Sequence, residues 1–118
     1  MPIKLSTFND GVLTVYREKE RKTDFGAKRN AASIDDLEKV VSLAFQESSK
    51  RAQDIEFAEQ SGFQLSLKVK TRWRPEVKSK MKAVIGSSLY EIRYTDKAGL
   101  EMFLMMEYAR ELADDGDA

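Results

Sequence analysis

A small antiparallel β-barrel of about five or six strands is what this sequence predicts, on three observations. Short segments alternate apolar and polar residues, most clearly "FQLSLKVKTRWRP" (63–75). Turn-forming clusters such as "GSS" (86–88) and "TDKAG" (95–99) separate neighbouring segments at hairpin spacing. One long excursion, within residues 33–62, interrupts the series. A length of 118 residues suits one domain, 1–118, with a single core.

The first element is "GVLTVYREKERK" (11–22), which starts after the turn pair Asn9-Asp10. Val12, Thr14 and Tyr16 alternate with Leu13, Val15 and Arg17, a β-branched pattern that predicts a strand running into a charged extension. "TDFGAKRNAAS" (23–33) reads as a loop. The next run supports two readings. Leu37, Val41, Ala44, Phe45 and Ser48 would line one face of a helix, yet Val41, Leu43 and Phe45 alternate as in a strand. Residues 48–62 are mostly polar, with only Ala52, Ile55, Phe57 and Ala58 to bury, and read as a projecting loop or arm open to being part helical.

The stretch 63–75 then places Phe63, Leu65, Leu67, Val69, Thr71 and Trp73 on one side and Lys68, Lys70, Arg72 and Arg74 on the other, and Pro75 stops it. "MKAVIG" (81–86) is a short strand, and "LYEIRY" (89–94) is the next. "TDKAG" (95–99) predicts a hairpin turn, with the first half of "LEMFLMMEYARELA" (100–113) as the return strand. The ending "DDGDA" (114–118) reads as a frayed, solubilising acidic tail.

Composition restricts the chemistry. There is no cysteine and no histidine, which removes thiolate and imidazole nucleophiles and bases and the commonest zinc ligands. Carboxylate pairs such as Asp35-Asp36 and Glu18-Glu20 lie among charges, with no apolar neighbours to raise a pKa. The "VIGSS" turn has neither the second glycine nor the lysine of a phosphate loop, and "DDGD" lacks the ligand spacing of a calcium loop. The expectation is a protein without catalytic residues, metal or cofactor. No apolar run reaches membrane-spanning length, and "MPIKLSTFND" lacks the apolar core of a secretory signal, so an intracellular product without membrane contact is expected.

The cations Lys68, Lys70, Arg72 and Arg74 have two readings: a phosphate-tracking stripe with Trp73 stacking a base, or the wet side of a strand. Twenty basic and twenty acidic residues cancel, which favours a solvated or subunit-facing edge, with Trp73 in the core and Glu91 pairing one of the cations across strands. In the return strand, Met102, Leu104 and Met106 share one face while Phe103 and Met105 share the other. A strand apolar on both sides suits a barrel wall covered from outside, for instance by a neighbouring subunit at Phe103 and Met105.

The order of elements in the second half resembles the head–tail joining proteins of tailed bacteriophages, also called head-closure or stopper proteins. The resemblance runs through Trp73-Arg74-Pro75, Met81, Val84-Ile85-Gly86, Tyr90 and Ile92, Asp96, and the apolar run Glu101 to Glu107, with "DFGAKRN" (24–30) similar to the turn after their first strand. It departs over 31–37, where the family often carries a tryptophan.

This resemblance implies a small β-barrel with a long loop between its second and third strands. It also implies a structural protein of the virion neck, assembled in the host cytoplasm as a ring of about twelve copies. Its partners would be a portal-adaptor protein on the head side and a tail-completion protein on the tail side, with non-specific proximity to packaged double-stranded DNA. The arm's exposed cations would be Lys50 and Arg51 and its anchors Ile55 and Phe57, as a channel or partner contact. The alternatives are a tail-terminator ring protein and a small nucleic-acid-binding barrel.

Overall fold

Leu13, Val15, Val69, Ile92, Leu104 and Met106 each have no solvent-exposed surface, and the strands that carry them close on one another around that core. The computed structural model describes residues 8–18 and 37–112. Within them run β1 (Gly11–Glu18), β2 (Leu37–Ser48), α1 (Ala52–Gln60), β3 (Leu67–Arg72), β4 (Lys82–Ile85), β5 (Ser88–Ala98) and β6 (Glu101–Glu111). The six strands form a closed antiparallel barrel in the order β1-β2-β3-β6-β5-β4, and β4 returns to pair with β1. The predicted fold class is therefore the observed one.

Inward-facing side chains follow the alternation. Leu43 and Phe45 of β2, Ala83 of β4 and Met102 of β6 complete the core, joined by Val77 from the link between β3 and β4. That link crosses one mouth of the barrel, since β3 borders β6 while β4 borders β5 and β1. Full burial of each large aliphatic side chain contributes roughly 1.5–3 kcal/mol.

One open reading is decided and three local expectations need correction. The ambiguous run before residue 48 is wholly strand. β2 is flanked by β1 and β3, so its alternating Leu43 and Phe45 are used inward and the helical face is never assembled. A bulge opposite Val15-Tyr16 absorbs one extra β2 residue, since Val15 faces Val41 and Tyr16 faces Lys39.

The strand predicted over 63–75 is regular only from Leu67 to Arg72. The turn after β4 is Gly86-Ser87, with Ser88 already paired to Ile85. The last hairpin turns at Gly99-Leu100 rather than over 95–99, because Asp96 and Lys97 still pair with Phe103 and Met102. Gly99 has φ 68° while Leu100 has an ordinary negative φ, the type II′ pattern that demands glycine at the first central position. The polar residues before Gly99 resemble turn formers, yet only the glycine relaxes the backbone constraint. The charged extension 19–22, the loop 23–33 and the acidic tail 114–118 lie outside the described residues.

Candidate functional site

The excursion between β2 and β3 folds back onto the outside of the barrel instead of projecting from it. Helix α1 is short and mostly polar, and a nine-residue helix is marginal alone. It is fixed at two points. The first is its third residue, Asp54, which is 4% exposed and accepts three short contacts. The Arg51 backbone N–H donates to its Oδ2 at 3.0 Å, the Lys68 ammonium donates to the same oxygen at 3.0 Å, and the Arg51 Nε donates at 3.3 Å. Asp54 thus closes half of a capping box, a carboxylate at the third helical position reaching back to the N-cap N–H. Burial pushes its carboxyl up, but the Arg51 N–H, the Lys68 ammonium and the Arg51 guanidinium outweigh this and hold it at about 2.

The second point is apolar. Ala58, one turn after Asp54, packs with Phe63, Leu65 and Met105, and Phe57 lies against the same group. The Phe57 ring also meets Tyr94 at 4.8 Å between centroids and Phe63 edge-on at 6.4 Å. Arg93 lies over Phe63 at 5.5 Å from the ring centre. Beside the clasp opens a cavity of about 380 Å³, lined by Arg51, Asp54, Lys68, Tyr94, Asp96 and Phe103 among others.

The expected site residues now have places. Lys50 is exposed and donates to the Ser66 carbonyl at 3.2 Å. Arg51 is exposed at the N-cap, and Phe57 packs within the chain, against the outer cluster. Ile55 is 44% exposed and is not part of the apolar cluster that seats the helix. Met105 is covered by the chain's own helix, so at this residue the cover expected from a neighbouring subunit is supplied within the chain. Phe103 is half-buried under the Lys68 ammonium, 4.9 Å from its ring centre.

The four cations do not form one stripe. Lys68 is 5% exposed in the clasp, and Lys70 reaches Glu101 at 3.9 Å. Arg72 and Arg74 are exposed, and no ion pair or side-chain hydrogen bond is made by either guanidinium among the described residues. Glu91 pairs with Lys82 and Arg93 instead of this group.

Trp73, expected in the core, is 38% exposed. The strand ends one residue earlier, its N–H binds the Leu100 carbonyl at 2.9 Å, and its ring carries Lys97 at 4.1 Å. Leu100 beside it is 85% exposed. Phe63 and Leu65 also leave the barrel interior and join the outer cluster under α1, since regular alternation begins only at Leu67.

Sequence reasoning missed Asp54 and Glu111. Asp54 looked like one more solvated charge; the usable signal was Arg51 and Asp54 three apart with Ala58 one turn on, the pattern of an N-terminal box with a burial stripe. The Glu111 carboxylate gathers hydroxyls from Ser87 at 2.9 Å, Ser88 at 2.7 Å and Tyr108 at 2.9 Å. Ser87 and Ser88 come from the β4–β5 hairpin, more than twenty residues away, and cannot be inferred from spacing, while Tyr108 lies on the same strand as Glu111.

Among the described residues, no group of three or more metal-ligating side chains is assembled, and no helix is long and apolar enough to cross a membrane. A second groove, of about 430 Å³, is lined by Arg17, Glu18, Lys80, Lys82, Glu91 and Arg93, with charges of both signs. Comparison with protein-family models and with curated proteins finds no match to this chain.

Proposed function

We propose that this chain is a structural virion protein of the phage neck, a ring subunit that joins the DNA-filled head to the tail and helps retain packaged DNA. The observation that carries the reading is the order of its elements. A closed six-stranded antiparallel barrel has its long insertion between β2 and β3, followed by two tight hairpins, β4–β5 and β5–β6. That is the arrangement the resemblance to head–tail joining proteins implies. Such a role requires durable surfaces in place of reacting groups, and it is compatible with a chain whose charges cancel. DNA that must slide through a lumen is poorly served by a strong basic field.

In this reading the ring sits between a portal-adaptor protein and a tail-completion protein. The outward side of α1, with Ile55 and the neighbouring Lys50 and Arg51, is then the surface offered to the channel or to a partner. Removing the chain from the genome that encodes it tests the reading. The expected lysate holds DNA-filled heads and separate tails, unjoined, by electron microscopy. Normally tailed, infectious particles overturn it.

A further inference from the structure

The barrel carries complementary corners at opposite ends of its last strand. At the start of β6, Arg72 pairs with Glu101 in the sheet, and Trp73 binds the Leu100 carbonyl. This corner offers two guanidinium groups without partners among the described residues, a half-exposed tryptophan and a leucine that is 85% exposed. At the finish of β6, Glu111 pairs with Ser88, and its carboxylate is fixed by the hydroxyls of Ser87, Ser88 and Tyr108. Tyr108 is 44% exposed there and stacks edge-on against Tyr90 at 5.7 Å.

We propose that copies of this chain join head to tail, with the Arg72, Trp73, Arg74 and Leu100 corner of one seated on the Glu111 and Tyr108 corner of the next. The two corners of one copy cannot meet, since an eleven-residue strand separates them by roughly 33 Å. Arginine recognises a carboxylate bidentately, and a carboxylate already held by three hydroxyls loses little freedom on docking. Those same hydroxyl bonds hold Glu111 below the usual carboxylate range, so it is charged at neutral pH. Tryptophan, tyrosine and arginine are also the residue types that dominate protein interfaces.

Nucleic acid fits this corner less well. Lys97 occupies one face of Trp73, Asp96 and Glu76 are exposed nearby, and Leu100 gives a phosphate backbone nothing to bind. A contact between two different patches is heterologous and yields a closed ring or an open filament. The inference deepens the neck reading and rests on it only for closure of the ring.

The test uses two variants, Arg72→Ala with Arg74→Ala, and Glu111→Ala. Each changes exposed side chains, and unchanged circular dichroism and melting confirm that each folds. By sedimentation, each variant alone associates roughly tenfold or more weakly than the native chain. Mixed together they form pairs and stop there, because each retains one working corner. Association that is unchanged in both variants, or a mixture that stays monomeric, overturns the proposal.

The absence of cysteine allows a second readout. Copies carrying Ala98→Cys, mixed with copies carrying Ala109→Cys, are expected to give mainly mixed disulfides. A statistical mixture overturns the proposal, as does a single-stranded oligonucleotide that binds the Arg72 and Arg74 corner and suppresses the mixed disulfide. Statistical disulfides with the chain still present in the neck would remove the contact alone. Mixed disulfides with the chain absent from the neck would remove the neck reading alone.

Discussion

β3 is two regions in one strand. Its first half places Lys68 outward and buries it, under α1 and against Asp54, with the ring of Phe103 beneath. Its last residue, Arg72, and the Trp73 and Arg74 that follow it are exposed. The sequence alternation is equally regular through both. Alternation fixes which side of the sheet a residue faces, but whether that side is wet depends on what the rest of the chain lays over it. Here the cover is α1, which begins sixteen residues before Lys68, and it reaches only half the strand.

The comparison can be broken most severely at the clasp. Lys68→Ala leaves Asp54 buried without its ammonium partner and is expected to cost about 3 kcal/mol in urea unfolding. Replacing both partners, Lys68→Met with Asp54→Leu, is expected to recover most of this, leaving about 1 kcal/mol for the lost N-cap contact. A double variant as unstable as the single one would show that the clasp is not a pair.

Acid provides the next test. The Asp54 carboxyl is depressed from 3.8 to about 2 in the folded chain. Its stabilising contribution is therefore complete above the unfolded value and is lost as pH falls from about 4 towards 2. Amide exchange over α1 is expected to accelerate in that window in the native chain, and Asp54→Asn should remove the step.

At the far end of the strand the effects shrink. Trp73→Ala removes a half-buried ring and the Lys97 contact, an expected loss of about 1–2 kcal/mol by thermal melting. Arg72→Ala and Arg74→Ala should each fall within about 0.5 kcal/mol of the native chain. A large loss from either arginine would mean that the two halves of β3 are not so different after all.

How much of this was legible in the sequence follows the same division. The barrel class, the inward Val69 and the two-faced β6 could be read because each depends on a period of two within one strand. β2 could not be separated from a helix on its own pattern, because the pairing partners that decide it are distant in sequence. The clasp was less legible still. Asp54 and Lys68 lie fourteen positions apart, and a buried charge pair has the same letters as two solvated ones. Trp73 was misplaced because one more residue of strand would have turned it inward, and strand ends are set by tertiary pairing, here the bond from Trp73 to Leu100.

The closing of β4 on β1 has a consequence for how this molecule can meet others. A sheet with a free edge recruits partners through its backbone, which any strand of any sequence can satisfy. Among the described strands every edge is already taken, so that indiscriminate route is shut. Recognition then falls to side chains on the outer wall and at the two corners, where one substitution changes one contact and leaves the frame intact. A wall of this kind lets a lineage change neighbours by single steps without relearning how to fold.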